Sequence, residues 1–221
     1  GERRRAAGFH FERDRQAYIA AHGIGRALLG LRGGLNPRSS RFKILAHGKP
    51  ELIVPDGAVP WRLNLSHTRG LAAAALTPGE DIGVDVEWLG RQNDADQVAE
   101  RMFAAPEVAH VTATPAPGKE ETFLAYWTLK EAYVKAIGKG LAASLQDFWF
   151  TLDPLSLHFR DPALDPQAWH LTQSRPTNEH LLAVAARRPP ATPFDIQVSP
   201  APIEDIVRLA HSKGPVGSGR I

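Results

Sequence analysis

The chain has 221 residues, no cysteine and one methionine. Without cysteine there is no disulfide framework, no thiolate nucleophile and no thiolate-ligated zinc. A reducing cytoplasm is the simplest expected compartment. No apolar run approaches the roughly 18 residues that span a bilayer, and the N-terminus lacks the hydrophobic core of a signal peptide. A soluble chain with no membrane partner is therefore expected. Net charge is small, 26 Lys+Arg against 24 Asp+Glu for +2, and the basic residues are spread among acids. This does not point to a nucleic-acid partner. Gly and Pro number 19 and 18, below the share that marks low-complexity chains, so most of the sequence should fold. With 43% hydrophobic residues, it can fill the core of one large domain or of two small halves. The chain begins at Gly1 rather than methionine, which leaves its true N-terminus open.

Apolar positions from Ala17 to Leu31 recur at helical spacing and predict a helix over 13–31, stopped by Gly33-Gly34. Three short strands are expected at Trp61 to Leu65, Leu71 to Leu76 and Ile82 to Trp88, two of them a hairpin. A short helix at Asp96 to Met102 precedes a long one from Glu120 to Ile137, ended by Gly138 and Gly140. Further strands are expected at Phe148 to Leu152, Trp169 to Thr172, Leu181 to Ala185 and Phe194 to Val198. Helix then strands, twice, predicts an α+β fold of two similar halves, 1–82 and 83–211, with a disordered tail over 212–221.

Four groups of residues could carry chemistry. In Gly83-Val84-Asp85-Val86-Glu87, strand alternation puts Asp85 and Glu87 on one face while Ile82, Val84 and Val86 enter the core. Paired carboxylates repel unless a cation lies between them, and oxygen ligands suit Mg²⁺; the plain alternative is a solvated edge strand. In the run from Trp127 to Lys135, helical spacing places Trp127, Glu131 and Lys135 on one face with Lys130 beside them. Glu131 could be a third metal ligand or a general base and Lys135 a phosphate clamp, against the alternative of an ordinary surface ion pair. Ser66-His67, expected just after a strand, could donate to phosphate oxygens, although such a pair is usually a turn. His47-Gly48-Lys49-Pro50 combines a glycine that lets backbone approach a ligand with a cation, a pattern also found in plain turns. Phe103 to Glu107 adds an acid to which no chemistry attaches, and the Arg3-Arg4-Arg5 run reads as a solvated terminus.

In order and spacing, Gly48-Lys49-Pro50, Asn64-Leu65-Ser66-His67, Gly83 to Glu87, Phe103 to Glu107, and Trp127 to Lys135 followed by Gly138 to Leu141 resemble the Sfp-type 4′-phosphopantetheinyl transferases. The length also resembles that two-half group rather than the short trimeric holo-acyl-carrier-protein synthases. The resemblance implies a Mg²⁺-dependent transfer of phosphopantetheine from coenzyme A, bound between the halves, to a serine of an apo acyl carrier protein or peptidyl carrier domain. It implies Asp85, Glu87 and Glu131 as metal ligands, with Asp85, Glu131 and Lys135 catalytic and Glu131 taking the serine proton. Lys130, Lys135 and His67 would contact the pyrophosphate; Ser66, Gly48, Lys49 and Pro50 would surround the nucleotide, and Arg5 with its neighbours would meet the 3′-phosphate. His47 departs from the family pattern, where an aromatic often precedes the Gly-Lys-Pro loop. A monomer is the simpler expectation for two halves in one chain.

Two other readings compete. Another Mg²⁺-dependent phosphotransferase or nucleotide hydrolase could use the same carboxylates, although no Gly-x-x-x-x-Gly-Lys-[Ser/Thr] loop is present. A non-catalytic module binding coenzyme A or a carrier would not need the whole set of Asp85, Glu87, Glu131 and Lys135.

Overall fold

A short helix α1, Glu2–Ala7, leads into α2, Glu12–Leu31, whose buried stripe includes Tyr18, Ala21, Ala27 and Leu29. These belong to a computed structural model that describes residues 2–45, 49–91, 93–187 and 194–211. Strands β1, Arg41–Ile44, and β2, Pro50–Ile53, form a small antiparallel pair. Next comes the hairpin of β3, Trp61–Thr68, and β4, Leu71–Pro78, in register from Trp61↔Pro78 to Thr68↔Leu71. Its two-residue turn has Gly70 at φ 79°, a conformation that glycine adopts without steric cost. Helix α2 lies across this hairpin, with Gly25 pressed on the tips of Leu63 and Leu65.

The second unit repeats the plan with a larger sheet. It opens with strand β5, Ile82–Trp88. Helices α3, Ala95–Met102, α4, Ala105–Ala113, and α5, Gly118–Ile137, follow it. Strands β6, Phe148–Leu152, and β7, Leu155–Phe159, form a hairpin. Strands β8, Trp169–Thr177, and β9, His180–Arg187, complete an antiparallel sheet in the order β5-β9-β8. β9 is central and buried along nearly its whole length, which its Leu-Leu-Ala-Val-Ala-Ala run allows. Helix α5 packs across β5 and β9, and its core joins Phe103, Leu124, Leu129, Phe148 and Phe150. A last helix α6, Ile203–His211, returns to α2, after Phe194 and Ile196 pack on Val84, Val86 and their neighbours.

The architecture is the expected α+β arrangement, with one long helix on antiparallel strands in each unit. Several elements differ from the reading of the sequence. Phe194 to Val198 is extended chain rather than a strand, because it packs on the sheet with side chains and joins no ladder. Ser66 and His67 lie inside β3, not after it, and the turn is confined to Arg69-Gly70. Helices α1 and α4 and strands β1, β2 and β7 carry too few periodic residues to announce themselves, whereas α6, with Ile203, Ile206 and Val207 on one face, has a helical pattern that the reading passed over. The expected tail over 212–221 lies outside the described residues, as do His47 and Gly48. Among the described residues no helix is long and apolar enough to cross a membrane.

Candidate active site

The site lies where the two units meet. β3 and β5 run side by side in the same direction without a backbone ladder. In its place the Asn64 side-chain oxygen accepts from Val84 N–H (2.9 Å), and Ser66 Oγ accepts from Val86 N–H (3.3 Å). β5 is an edge of its own sheet, and these side chains satisfy edge N–H groups that would otherwise be orphaned. They also hold the strands a side chain apart, and the functional groups collect along this seam.

On the other side of β5, α5 comes backbone to backbone. A Cβ at Gly83 would stand 1.9 Å from the Ala132 carbonyl oxygen and 2.5 Å from Ala136 N, so only glycine fits. That approach explains the glycine beside Asp85, and it brings the second turn from the helix end onto the strand. From Phe123 to Ala136 every residue of α5 is buried except Trp127, Glu131 and Lys135, one i,i+4 row that opens on the seam. Trp127 closes the far end of the row against Phe103 and Phe123.

Asp85 is the centre of this geometry and is only 5% exposed. Its Oδ1 lies 2.6 Å from Lys135 Nζ and accepts from Ser66 Oγ (2.9 Å). Lys135 Nζ also reaches Ser66 Oγ (3.0 Å) and the Val84 carbonyl (3.3 Å). The second oxygen, Asp85 Oδ2, is buried without a hydrogen-bond partner. Such an acceptor is costly unless something electropositive meets it. Burial pushes the Asp85 carboxyl above its usual range, against the pull of Lys135 and Ser66. Glu87 and Glu131 are raised too, first by burial and then by the negative charge of Asp85. The charge of Asp85 is therefore felt by both glutamates. Glu87 Oε1 is held by Arg91 Nη1 at 2.8 Å.

Oxygen donors around an unpartnered buried acceptor fit a hard divalent cation. Among the described residues no three acidic or imidazole side chains are gathered tightly enough to close on an ion in this arrangement. Lys135 and Arg91 hold Asp85 and Glu87 instead.

The other expected residues are placed as follows. His67, exposed on β3, meets the Tyr18 ring edge-on at 6.4 Å. Burial lowers its pKa, and so do the nearby charges of Lys135 and His22. Arg5 is exposed on α1, close enough for its charge to act on Tyr18 and His22. Pro50 opens β2.

Three residues depart from expectation. Lys130 is turned away from the seam: its amine is wholly buried, 2.8 Å from Glu107 Oε2, and donates to the Leu145 and Phe148 carbonyls (2.6 and 2.8 Å). With three donors occupied it has none for a pyrophosphate. Lys49 donates to the Ala136 carbonyl (2.5 Å) at the C-terminal end of α5, a contact that ties the first unit to the second and that the sequence did not suggest. Ser66 has its hydroxyl engaged with Asp85, Lys135 and Val86, which makes it a support for the carboxylate.

Glu107 and Asn64 are the residues whose roles the sequence did not disclose. Glu107 accepts from Lys130 and from the Phe150 and Ala104 backbone N–H groups (2.9 and 3.1 Å), locking α4, α5 and β6 together.

Residues 81–185, the span holding Asp85, Glu87, Glu131 and Lys135, match the 4′-phosphopantetheinyl transferase superfamily. The chain is 34% identical over 183 residues to the 4′-phosphopantetheinyl transferase HetI of Nostoc sp., covering 82% of this chain and 75% of that protein. The chain belongs to the 4′-phosphopantetheinyl transferase family. Its relatives include a phosphopantetheinyl transferase of Thraustochytrium sp., 30% identical over 199 residues, covering 83% of this chain and 68% of that protein. The human L-aminoadipate-semialdehyde dehydrogenase-phosphopantetheinyl transferase is 28% identical over 206 residues, covering 85% of this chain and 66% of that protein. As a phosphopantetheinyl transferase of the Sfp type, the chain is an enzyme. Its two units put Ser66 on the first and the acidic residues on the second.

Proposed function

We propose that the chain transfers the 4′-phosphopantetheine moiety of coenzyme A to a serine of an apo acyl carrier protein or peptidyl carrier domain, releasing 3′,5′-ADP in a Mg²⁺-dependent reaction. The observation that supports it most is the buried Asp85, with one oxygen held by Lys135 and Ser66 and the other unpartnered, beside Glu87 and Glu131. Asp85, Glu87 and Glu131 would hold the ion. When bound, Mg²⁺ supplies neutralisation of the charge on the pyrophosphate.

The chain's own groups do the rest. Glu131, on the open row of α5, takes the proton from the carrier serine, directly or through water. The serine oxygen forms a bond to the β-phosphorus of coenzyme A while the bond from that phosphorus to the bridging oxygen breaks, and the electron pair leaves with 3′,5′-ADP. Lys135, freed from Asp85, donates to the pyrophosphate, with His67 beside it. Ser66 keeps Asp85 in place, and Arg5 serves the 3′-phosphate. A single chain suffices as the working unit, because it supplies every one of these residues.

The test is intact-mass analysis of a panel of apo carrier proteins incubated with the protein, coenzyme A and Mg²⁺, with an EDTA control. A carrier that gains one phosphopantetheine only when Mg²⁺ is present is the expected result. Transfer that is indifferent to EDTA would overturn the metal assignment. No gain on any carrier, with coenzyme A bound, would favour a binding module.

A further inference from the structure

We propose that Arg91 competes with the divalent cation for Glu87 and thereby sets the affinity of the cation site. The inference rests on the reading of Asp85, Glu87 and Glu131 as cation ligands and goes one step beyond it.

The geometry carries the argument. β5 ends at Trp88, and the chain turns sharply, with Arg91 N–H donating to the Trp88 carbonyl (3.1 Å) and Leu89 N–H anchored on the Glu179 carbonyl (2.8 Å). Gly90 in this turn lies close against Trp88. A Cβ there would fall 2.3 to 2.7 Å from three atoms of the Trp88 indole, so any side chain would have to displace that ring. Arg69 stacks on the same indole, 4.3 Å from its centroid. The turn delivers Arg91 back to Glu87, where Nη1 and Oε1 are 2.8 Å apart.

The two side chains differ in surroundings. Glu87 is only 12% exposed, whereas Arg91 is 49% exposed and free to leave into solvent. Glu87 is thus held by a cation that is easily displaced. The parallel with Asp85 and Lys135 is close: each carboxylate of the β5 pair has a resident protein cation. For Glu87 to ligate an ion with its charge undiluted, Arg91 has to let go. Removing the competitor therefore strengthens ion binding, the reverse of what loss of a supporting residue does.

The experiment measures Mn²⁺ binding to the full chain, by titration calorimetry and by the electron paramagnetic resonance signal of free Mn²⁺, with and without coenzyme A. Arg91→Gln should bind Mn²⁺ about three- to fivefold more tightly than wild type, the scale of a partly exposed ion pair. In a Glu87→Gln background the Arg91 change should give no gain. Arg69→Gln, which removes a nearby charge that does not touch Glu87, should leave the affinity within about twofold. Circular dichroism and melting curves confirm that each variant is folded. Unchanged or weaker binding by folded Arg91→Gln overturns the inference, as does an equal gain in Arg69→Gln, which would mean a general field effect. Wild-type protein that binds no Mn²⁺ in either condition overturns the cation-site reading itself, and this shows before any variant is made.

Discussion

Lys130 Nζ lies 2.8 Å from Glu107 Oε2, and neither side chain is reached by solvent. Burial pushes Glu107 up and Lys130 down, while their mutual attraction opposes both shifts. Two backbone N–H donors on the carboxylate and two carbonyls on the amine complete the pair, so we read it as ionic. Glu131 is the next residue after Lys130. The pair therefore fixes the stretch of helix that points Glu131 at the seam.

Lys130→Met would leave Glu107 buried without its cation. A loss of about 3–5 kcal/mol is expected, the usual result of removing one partner of a buried pair. Urea denaturation at neutral pH measures it. A loss under about 1 kcal/mol would show that the pair is structurally idle.

Gly83→Ala tests the close approach of α5 to β5. The added methyl meets backbone atoms of α5 that cannot move aside as a flexible side chain would. The expected cost is about 3 kcal/mol or more, at or beyond the upper end of ordinary overpacking. Transfer activity should fall along with stability, because the same contact sets Glu131 and Lys135 against Asp85. A variant as stable as wild type by thermal melting would contradict the packing described.

Asp85→Asn keeps the shape and removes the charge. Transfer of phosphopantetheine should drop by about 10²-fold or more, with loss of Mn²⁺ binding, while the circular dichroism spectrum is retained. Turnover close to that of wild type in a folded Asp85→Asn protein would be incompatible with Asp85 as a metal ligand.

His22 predicts a pH effect on stability. Its imidazole packs tilted against Tyr18, 4.2 Å between centroids, with Nδ1 3.3 Å from Glu2 Oε1. Burial dominates and lowers its pKa from 6.5. Between the folded value and 6.5 the unfolded chain binds more protons, so stability rises with pH there. The penalty is absent well above 6.5 and grows as pH falls below it. Compared with His22→Gln, wild type should lose stability on acidification from pH 7.5 to 5, as read by paired denaturation curves. Parallel pH profiles for the two proteins would refute the assignment.

The long elements were legible because periodicity survives burial on one face. Helix α2, the hairpin strands and β5 lie where apolar spacing puts them, and Gly138, at φ 68°, ends α5 as its position after Ile137 suggests. Strand alternation could put Asp85 with Glu87 on one face, and helical spacing Glu131 with Lys135, but neither could bring the two pairs together. Lys130 could not be placed, because a helix that is buried on almost every side has no solvent face to which a lysine defaults. Its partner Glu107 sits in α4, a helix of nine residues with small side chains and little pattern. Ser66 looked like the end of a strand because its polarity broke the apolar run, when its hydroxyl was in fact buried against the next strand.

The sequence by itself determined which chemistry was at hand. Without cysteine, the reactive groups are carboxylates, lysines and imidazoles, and the spacing within β5 and within α5 fixes which of them share a face, since that spacing is local geometry. Tertiary structure decided what each group faces. Whether a lysine meets a phosphate, a buried glutamate or a helix end depends on which elements approach it, and those contacts join residues far apart in the chain. Lys135 found Asp85, Lys130 found Glu107 and Lys49 found the last turn of α5. Three lysines of one chemistry thus have three roles, set by the packing around each ammonium group.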